Sequence, residues 1–336
     1  GVAPGHKTAV FTPNDNGWLT AADLAAAGVE VSAVIDVRDD AVASDILGDR
    51  ARALSDTRVM VGAQITDALG GTDLHGIKVL DIRGQKRTVA VDSVAVAGGW
   101  NPVVHLTCHL GSKPVWSDAL NTFVAGTNLP AGMGLAGAAN GVYSTAGALA
   151  DGQAAANTAL GALGLKVTKQ DCPVAEDAPV RARAFWYVAE SKQPAFVDLQ
   201  NDVTLKDIKQ SHAEGFRSVE HLKRYTTLGM ATDQGKTANV PGLAIMAQLR
   251  NQSIAETGTT TFRPPYTGVA IGAFAGRSRD QQFRPTRHTP SHKWATEQGA
   301  VFVETGAWLR AQWFPRKTES HWRESVNREV LTTRAS

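Results

Sequence analysis

Between Thr257 and Pro265 the chain reads TGTTTFRPP, setting four threonine hydroxyls beside Arg263. Upstream, HLKRYTT (221–227) brings Lys223 and Arg224 together, and DQGKT follows at 233–237. Hydroxyls, an ammonium and guanidiniums in one region suit a phosphate. Charge-assisted hydrogen bonds are about twice as strong as neutral ones, and a guanidinium grips two phosphate oxygens at once. Lys223, Arg224, Thr260 and Arg263 are the candidate contacts. The plainer alternative is a set of solvated basic residues beside threonine-rich turns.

A second stretch suited to a phosphate is FVAGTNLPAGMGLAGAANG (123–141), where Gly126, Gly132, Gly134 and Gly137 crowd one turn. Glycine lets a ligand approach the backbone, and successive N–H groups at the start of a helix favour an anion. Glycine- and alanine-rich helices also pack closely without binding anything, and that reading stands beside the first.

The first turn of the chain is poorer. A dinucleotide-binding βαβ unit places G-x-G-x-x-G after its first strand, whereas TPNDNGW (12–18) has one glycine. Asp36, at the end of the second strand, stands where an acidic residue would grip a ribose. With the glycines missing, the residues favour the simpler reading, in which Asp36 caps the strand end and Asn14 and Asp15 cap the helix. No side chain is a convincing general base: His105, His109, His212 and the other histidines lack ligand or triad spacing, so no catalytic residue and no metal site is assigned. Cys108 and Cys172 are too few for a ligand cluster and fit idle thiols in a reducing cytoplasm.

The elements that must position these residues are legible in outline. KTAVFT (7–12) and EVSAVIDV (30–37) read as buried strands around a helix at 19–28 that Gly28 terminates, a βαβ start. Strand-like runs follow at 57–66 and 76–82. From 166 to 194 the pattern dissolves into a proline-bearing linker or chain-spanning arm. The chain opens on Gly1 and stops in a helix-like stretch, which reads as a piece of a larger polypeptide. With 336 residues, 43% hydrophobic and 20% charged, the sequence fits two or three globular domains. A net charge of +2 gives no push toward nucleic acid or an anionic membrane, and no window is apolar for long enough to span a bilayer.

Residues 195–238, AFVDLQNDVTLKDIKQSHAEGFRSVEHLKRYTTLGMATDQGKTA, resemble the small two-iron two-sulfur module of amine and amino-acid dehydrogenases. The four cluster-ligand positions are Asp198, Gln200, Asp233 and Ala238, which cannot supply the thiolates such a cluster needs. A helical module without its metal is expected, with a core of Phe196, Val203, Ile208, Phe216, Val219 and Leu222. Read with GFRSVEHLKRYTTLGMATDQGKTANVPGLAI (215–245), TGTTTFRPPYTGVAIGAFAGR (257–277) and TPSHKWATEQGAVFVETGAWLRAQWF (289–314), the whole chain resembles the alpha subunit of heterotetrameric sarcosine oxidase.

That resemblance implies an α/β fold in four parts. Residues 1–165 would be the C-terminal portion of a two-dinucleotide-binding flavoprotein-like domain, and 166–194 a linker. Residues 195–285 would form the cysteine-less module with an interface segment, and 286–336 the start of an aminomethyltransferase-like folate domain, with Trp294, Trp308 and Trp313 in its core. It implies NAD near Gly98 and Gly99 (in SVAVAGGWNP, like a flavoprotein strand exit) and near Gly126, Thr127, Gly132, Gly134 and Gly137. Thr127 replaces the aspartate that holds a flavin's ribityl chain in relatives. It further implies FMN shared with a beta subunit near Lys223, Arg224, Thr260 and Arg263, FAD on the partner, tetrahydrofolate mostly through residues beyond Ser336, and beta, gamma and delta subunits. A stand-alone NADH-dependent flavoprotein reductase, a related N-methyl amine dehydrogenase subunit and a non-catalytic structural subunit are the alternatives.

Overall fold

The computed structural model describes residues 4–167, 170–175, 177 and 180–336. It divides into two compact units, Gly1–Gly268 and Val269–Ser336. The first opens with a βαβ unit: β1 (Lys7–Thr12), α1 (Asp15–Ala26) and β2 (Glu30–Asp36). Helix α2 (Ala43–Leu47) leads to β3 (Arg58–Val61), and β4 (Gln64–Gly70), β5 (Leu74–Leu80) and β6 (Lys86–Val89) form an antiparallel meander before β7 (Ser93–Val96). The main sheet has the order β3-β2-β1-β7, every pair parallel.

Both faces of that sheet are covered, which is why its strands are apolar nearly throughout. Val10 and Val34 turn toward α1 and pack with Trp18, Ala21 and Ala22, all almost fully buried. Ala9, Ala33 and Ile35 turn the other way, onto Ile77, Val79 and Val89 of the meander. Two boundaries differ from the sequence expectation. Helix α1 begins at Asp15 rather than Leu19, because the Asn14 side chain accepts the Gly17 N–H at 3.2 Å and nucleates it earlier. The run 57–66 is two strands, broken at Gly62, whose φ of +61° only glycine adopts readily.

Beyond β7 lie the short α3 (His105–Cys108), the hairpin of β8 (Val115–Ser117) and β9 (Thr122–Val124), an irregular stretch, and α4 (Thr145–Ala162). Of the two readings of 166–194, linker or chain-spanning arm, the described residues 182–187 follow the second: Ala182 bridges Asn14, Phe185 meets Phe11 edge-on, and Trp186 and Tyr187 pack against a core. That core belongs to a module of β10 (Phe196–Asp198), β11 (Val203–Thr204), α5 (Leu205–Ala213), α6 (Val219–Thr226), α7 (Asn239–Arg250) and α8 (Ile254–Thr257). Val203, Ile208, Val219 and Leu222 are buried as expected, around Leu243, Ile245 and Met246 of α7. Phe196 is not: it is 51% exposed, because strand alternation gives the inward side to Val197. Phe216 is half-buried, stacked on Tyr225 with ring centroids 4.6 Å apart.

The second unit contains α9 (Ile271–Phe274), β12 (Arg287–His288), α10 (His292–Glu297), β13 (Val301–Thr305), β14 (Trp308–Trp313) and α11 (Trp322–Ala335), with sheet order β12-β14-β13. Trp294 and Trp308 are 58% and 38% exposed rather than core, and Trp313 is half-buried. Ala295 takes the inward position on α10, which turns its neighbour Trp294 outward. Among the described residues no helix is long and apolar enough to cross a membrane.

Candidate functional site

In an open parallel sheet, ligands bind beyond the carboxyl ends of the strands. The spacing of a G-x-G-x-x-G turn falls here on Thr12, Asn14 and Gly17. Gly17 keeps the packing role: a Cβ there would stand 2.3 Å from the Thr12 side chain. Asn14 puts an amide where the backbone should lie open, its Nδ2 donating to the Ala97 carbonyl at 3.2 Å. The N-terminus of α1 is occupied by the arm. Asp15 N–H donates to the Arg181 carbonyl at 3.0 Å, and the Arg181 N–H donates to Asp15 Oδ2 at 2.8 Å.

Asp36 is consumed in the same place. Its fully buried carboxylate accepts Trp18 Nε1 at 2.7 Å and the Arg38 guanidinium at 2.7–3.2 Å. Arg38 also donates to Asp15 Oδ1 at 2.7 Å. Burial works against the Arg38 charge, yet the hydrogen bonds to Asp36 and Asp15 win and hold its pKa above the ordinary arginine value. This closed network leaves neither a phosphate cradle nor a free carboxylate for a ribose. Arg38 and Arg181, which complete it, have no sequence signature; one lies two residues past a strand and the other in a distant arm.

The remaining glycines are spread out. Gly98 and Gly99 follow β7 and are exposed, an added Cβ on either would meet nothing within 4 Å, and Gly99 has φ +124°. Gly126 is buried against the Lys113 carbonyl, 2.3 Å from where its Cβ would be. Thr127, Gly132 and Gly134 are exposed in irregular chain. The glycine-dense turn does not lead into the N-terminus of a long helix as expected: α4 starts later and is capped by the Ser144 hydroxyl, which accepts Gly147 N–H at 3.2 Å. The Gly137 N–H already donates to Asp151 Oδ2 at 2.8 Å.

The basic residues do converge. Lys223, Arg224 and Arg263 line one cavity of about 240 Å³ together with Glu220, Met230 and Gln234. That is smaller than the roughly 300–1,000 Å³ of pockets enclosing a whole ligand, so it suits the anionic end of a larger molecule. Helix α6 supplies Glu220, Lys223 and Arg224 because positions three and four apart share a face. Burial lowers the Lys223 pKa below the usual lysine range, Glu220 opposes this, and Arg263 and Arg224 lower it further. Arg263 and Arg224 are thus close enough to bear on the Lys223 ammonium. Thr260 is not a lining residue; it is buried, with a hydroxyl that has no partner among the described residues.

The loop bearing Met230 and Gln234 is tied to the strand-end residues Asp198 and Gln200 by hydrogen bonds. Asp198 is buried; its Oδ1 accepts the N–H groups of Gln200 at 2.8 Å and Asn201 at 3.1 Å, and its Oδ2 accepts Gly229 N–H at 2.8 Å. Gln200 Oε1 accepts the Thr232 hydroxyl at 3.1 Å and Asp233 N–H at 3.4 Å. Ala238 is buried. Hydrogen bonds accepted by Asp198 and Gln200 thus join the segments 198–201 and 229–233.

Residues 192–277 match the family described as the sarcosine oxidase A3 domain. Along 99% of its length the chain is 45% identical to sarcosine oxidase subunit alpha of Rhizobium meliloti (strain 1021), covering 33% of that protein. It is 38% identical over its whole length to sarcosine oxidase subunit alpha of Corynebacterium sp. (strain P-1), covering 36% of it. The chain thus spans about a third of the curated relatives it matches. Among solved structures, L-proline dehydrogenase from P. horikoshii aligns over 81% of this chain and 50% of its own, with a TM-score of 0.53 at 18% identity, a likeness of fold. By similarity along its entire length, the chain belongs to the sarcosine oxidase subunit alpha family.

Proposed function

We propose that the protein is part of the alpha subunit of a cytoplasmic sarcosine oxidase complex, built with beta, gamma and delta subunits. The reaction converts sarcosine, tetrahydrofolate and O2 to glycine, 5,10-methylenetetrahydrofolate and H2O2. The amine-oxidising FAD belongs to the partner, and this chain contributes to binding FMN and NAD. The domain division at 165, 194 and 285, with a folate domain beginning at 286, is part of the same reading.

The observation that carries the FMN assignment is the convergence of Lys223, Arg224 and Arg263 on one small cavity. Two of the three, Lys223 and Arg263, form no salt bridge among the described residues, so their charge is free for an anion. NAD is assigned near Gly98, Gly99, Gly126, Thr127, Gly132, Gly134 and Gly137. The closed Asp36–Arg38–Asp15 network supports placing it away from the first βαβ turn.

The test is Arg263→Ala in the assembled complex. Losing a charged hydrogen bond to a phosphate costs about 1.5–3 kcal/mol, roughly tenfold to a hundredfold in affinity. FMN content should fall while NAD content and subunit association hold. Unchanged FMN with the subunits associated overturns the assignment.

A further inference from the structure

Glu220 holds the same donors that an incoming anion would use. Its Oε1 accepts the backbone N–H of Thr261 at 2.6 Å, and its Oε2 pairs with Arg224 Nη2 at 3.1 Å. Arg224 Nη1 donates at the same time to the Glu220 backbone carbonyl at 2.8 Å, so the guanidinium is fixed in that orientation. Burial alone would raise the Glu220 pKa, but the Thr261 N–H and the charges of Arg224 and Lys223 keep its carboxyl below the usual range. It is therefore an anion under neutral conditions, and it is a wall of the cavity that Lys223 and Arg263 also line.

A backbone N–H and a guanidinium converging on two carboxylate oxygens is the arrangement by which proteins bind phosphate. Here the chain supplies the anion itself. We propose that Glu220 is a built-in competitor at the basic cavity: its carboxylate occupies the Thr261 N–H and Arg224 until a phosphate-bearing ligand displaces it. This rests on reading the cavity as an anion site. When the ligand enters, Thr261 N–H and the Arg224 guanidinium are handed to phosphate oxygens, and Glu220 turns out to solvent. The exchange conserves hydrogen bonds, so the ligand's net gain comes chiefly from Lys223 and Arg263. Glu220 thereby sets the affinity, holds the loop 258–263 in place while the cavity is empty, and discriminates against small, weakly charged anions that cannot displace a carboxylate.

The test is a calorimetric titration of this chain with inorganic phosphate at low ionic strength, comparing the unchanged protein with Glu220→Gln, Glu220→Ala and Arg263→Ala. Glutamine keeps an oxygen for the Thr261 N–H and so preserves the loop, while alanine removes the side chain altogether. A competitor, once neutralised, leaves the cavity binding more tightly; a mere structural brace, once removed, leaves it binding more weakly. We expect Glu220→Gln to bind phosphate about tenfold more tightly, Glu220→Ala to do so if it remains folded, and Arg263→Ala to bind poorly. Equal or weaker binding by Glu220→Gln, with binding still lost in Arg263→Ala, overturns the competitor role and leaves the anion site standing. Binding indifferent to Arg263→Ala, or no binding by any of the four proteins, overturns the anion site and the competitor with it.

Discussion

Asp198 and Gly229 lie far apart in sequence, yet the carboxylate of the first accepts the backbone N–H of the second at 2.8 Å in a buried setting. The same carboxylate holds the N–H groups of Gln200 and Asn201. It thereby cross-links the strand end at 198 to the loop at 229. Asp198→Ala should cost about 2–4 kcal/mol in urea unfolding, since three N–H groups lose a charged acceptor. Asp198→Asn, which keeps one acceptor oxygen, should cost less. Equal stability of all three proteins would show that the clasp carries no load.

Iron and acid-labile sulfide in the full-length subunit should stay at background, because oxygen ligands and an alanine cannot bind a two-iron cluster. Stoichiometric iron and sulfide would overturn the reading of 195–238.

Removing Arg38 strands two buried carboxylates, Asp15 and Asp36, beside one another. Arg38→Met should therefore destabilise the first unit by about 3–5 kcal/mol. Arg183→Ala, at an exposed pair with Asp39 and Asp40, should have far less effect. Similar denaturation midpoints for the two variants would contradict this.

In the second unit the Arg328 guanidinium, with the Ser325 hydroxyl, lowers the Glu319 pKa from 4.5 to about 2. A carboxylate depressed in the folded state stabilises the fold above its unfolded value. That contribution should decline as pH falls from about 4.5 and be gone near pH 2. Glu319→Gln should unfold more readily at neutral pH and match the unchanged protein below about pH 2. The fluorescence of Trp313 and Trp322, whose rings lie 6.3 Å apart, reports the transition. A stability difference that persists undiminished to pH 2 would refute the coupling.

An added Cβ at Gly134 would meet nothing within 4 Å, so Gly134→Leu should fold normally. If that surface is part of the NAD site, the full-length variant should retain markedly less NAD. Normal co-purified NAD would remove Gly134 from the site.

Much of this was legible in the sequence, for physical reasons. Strands buried on both faces must be apolar along their length, so β1 and β2 stood out. The apolar pattern of 203–222 was readable because Val203, Ile208, Val219 and Leu222 fill one core. The Lys223–Arg224 pair of α6 and the lone Arg263 among the threonines after α8 were also visible. Their meeting was not, because Lys223 and Arg263 line one cavity only once the loop after α8 returns to α6, where the Thr261 N–H donates to Glu220. Strand alternation had to be known to place Val197 inward and Phe196 outward, and a short helix had to be oriented before Trp294 could be seen to face solvent. The first βαβ turn shows the division most clearly. Its sequence determined that the glycines were missing. Only the tertiary structure decided what took their place, since Arg38 and the arm at Arg181 reach Asp15 from either side through charge and backbone geometry that no local pattern records.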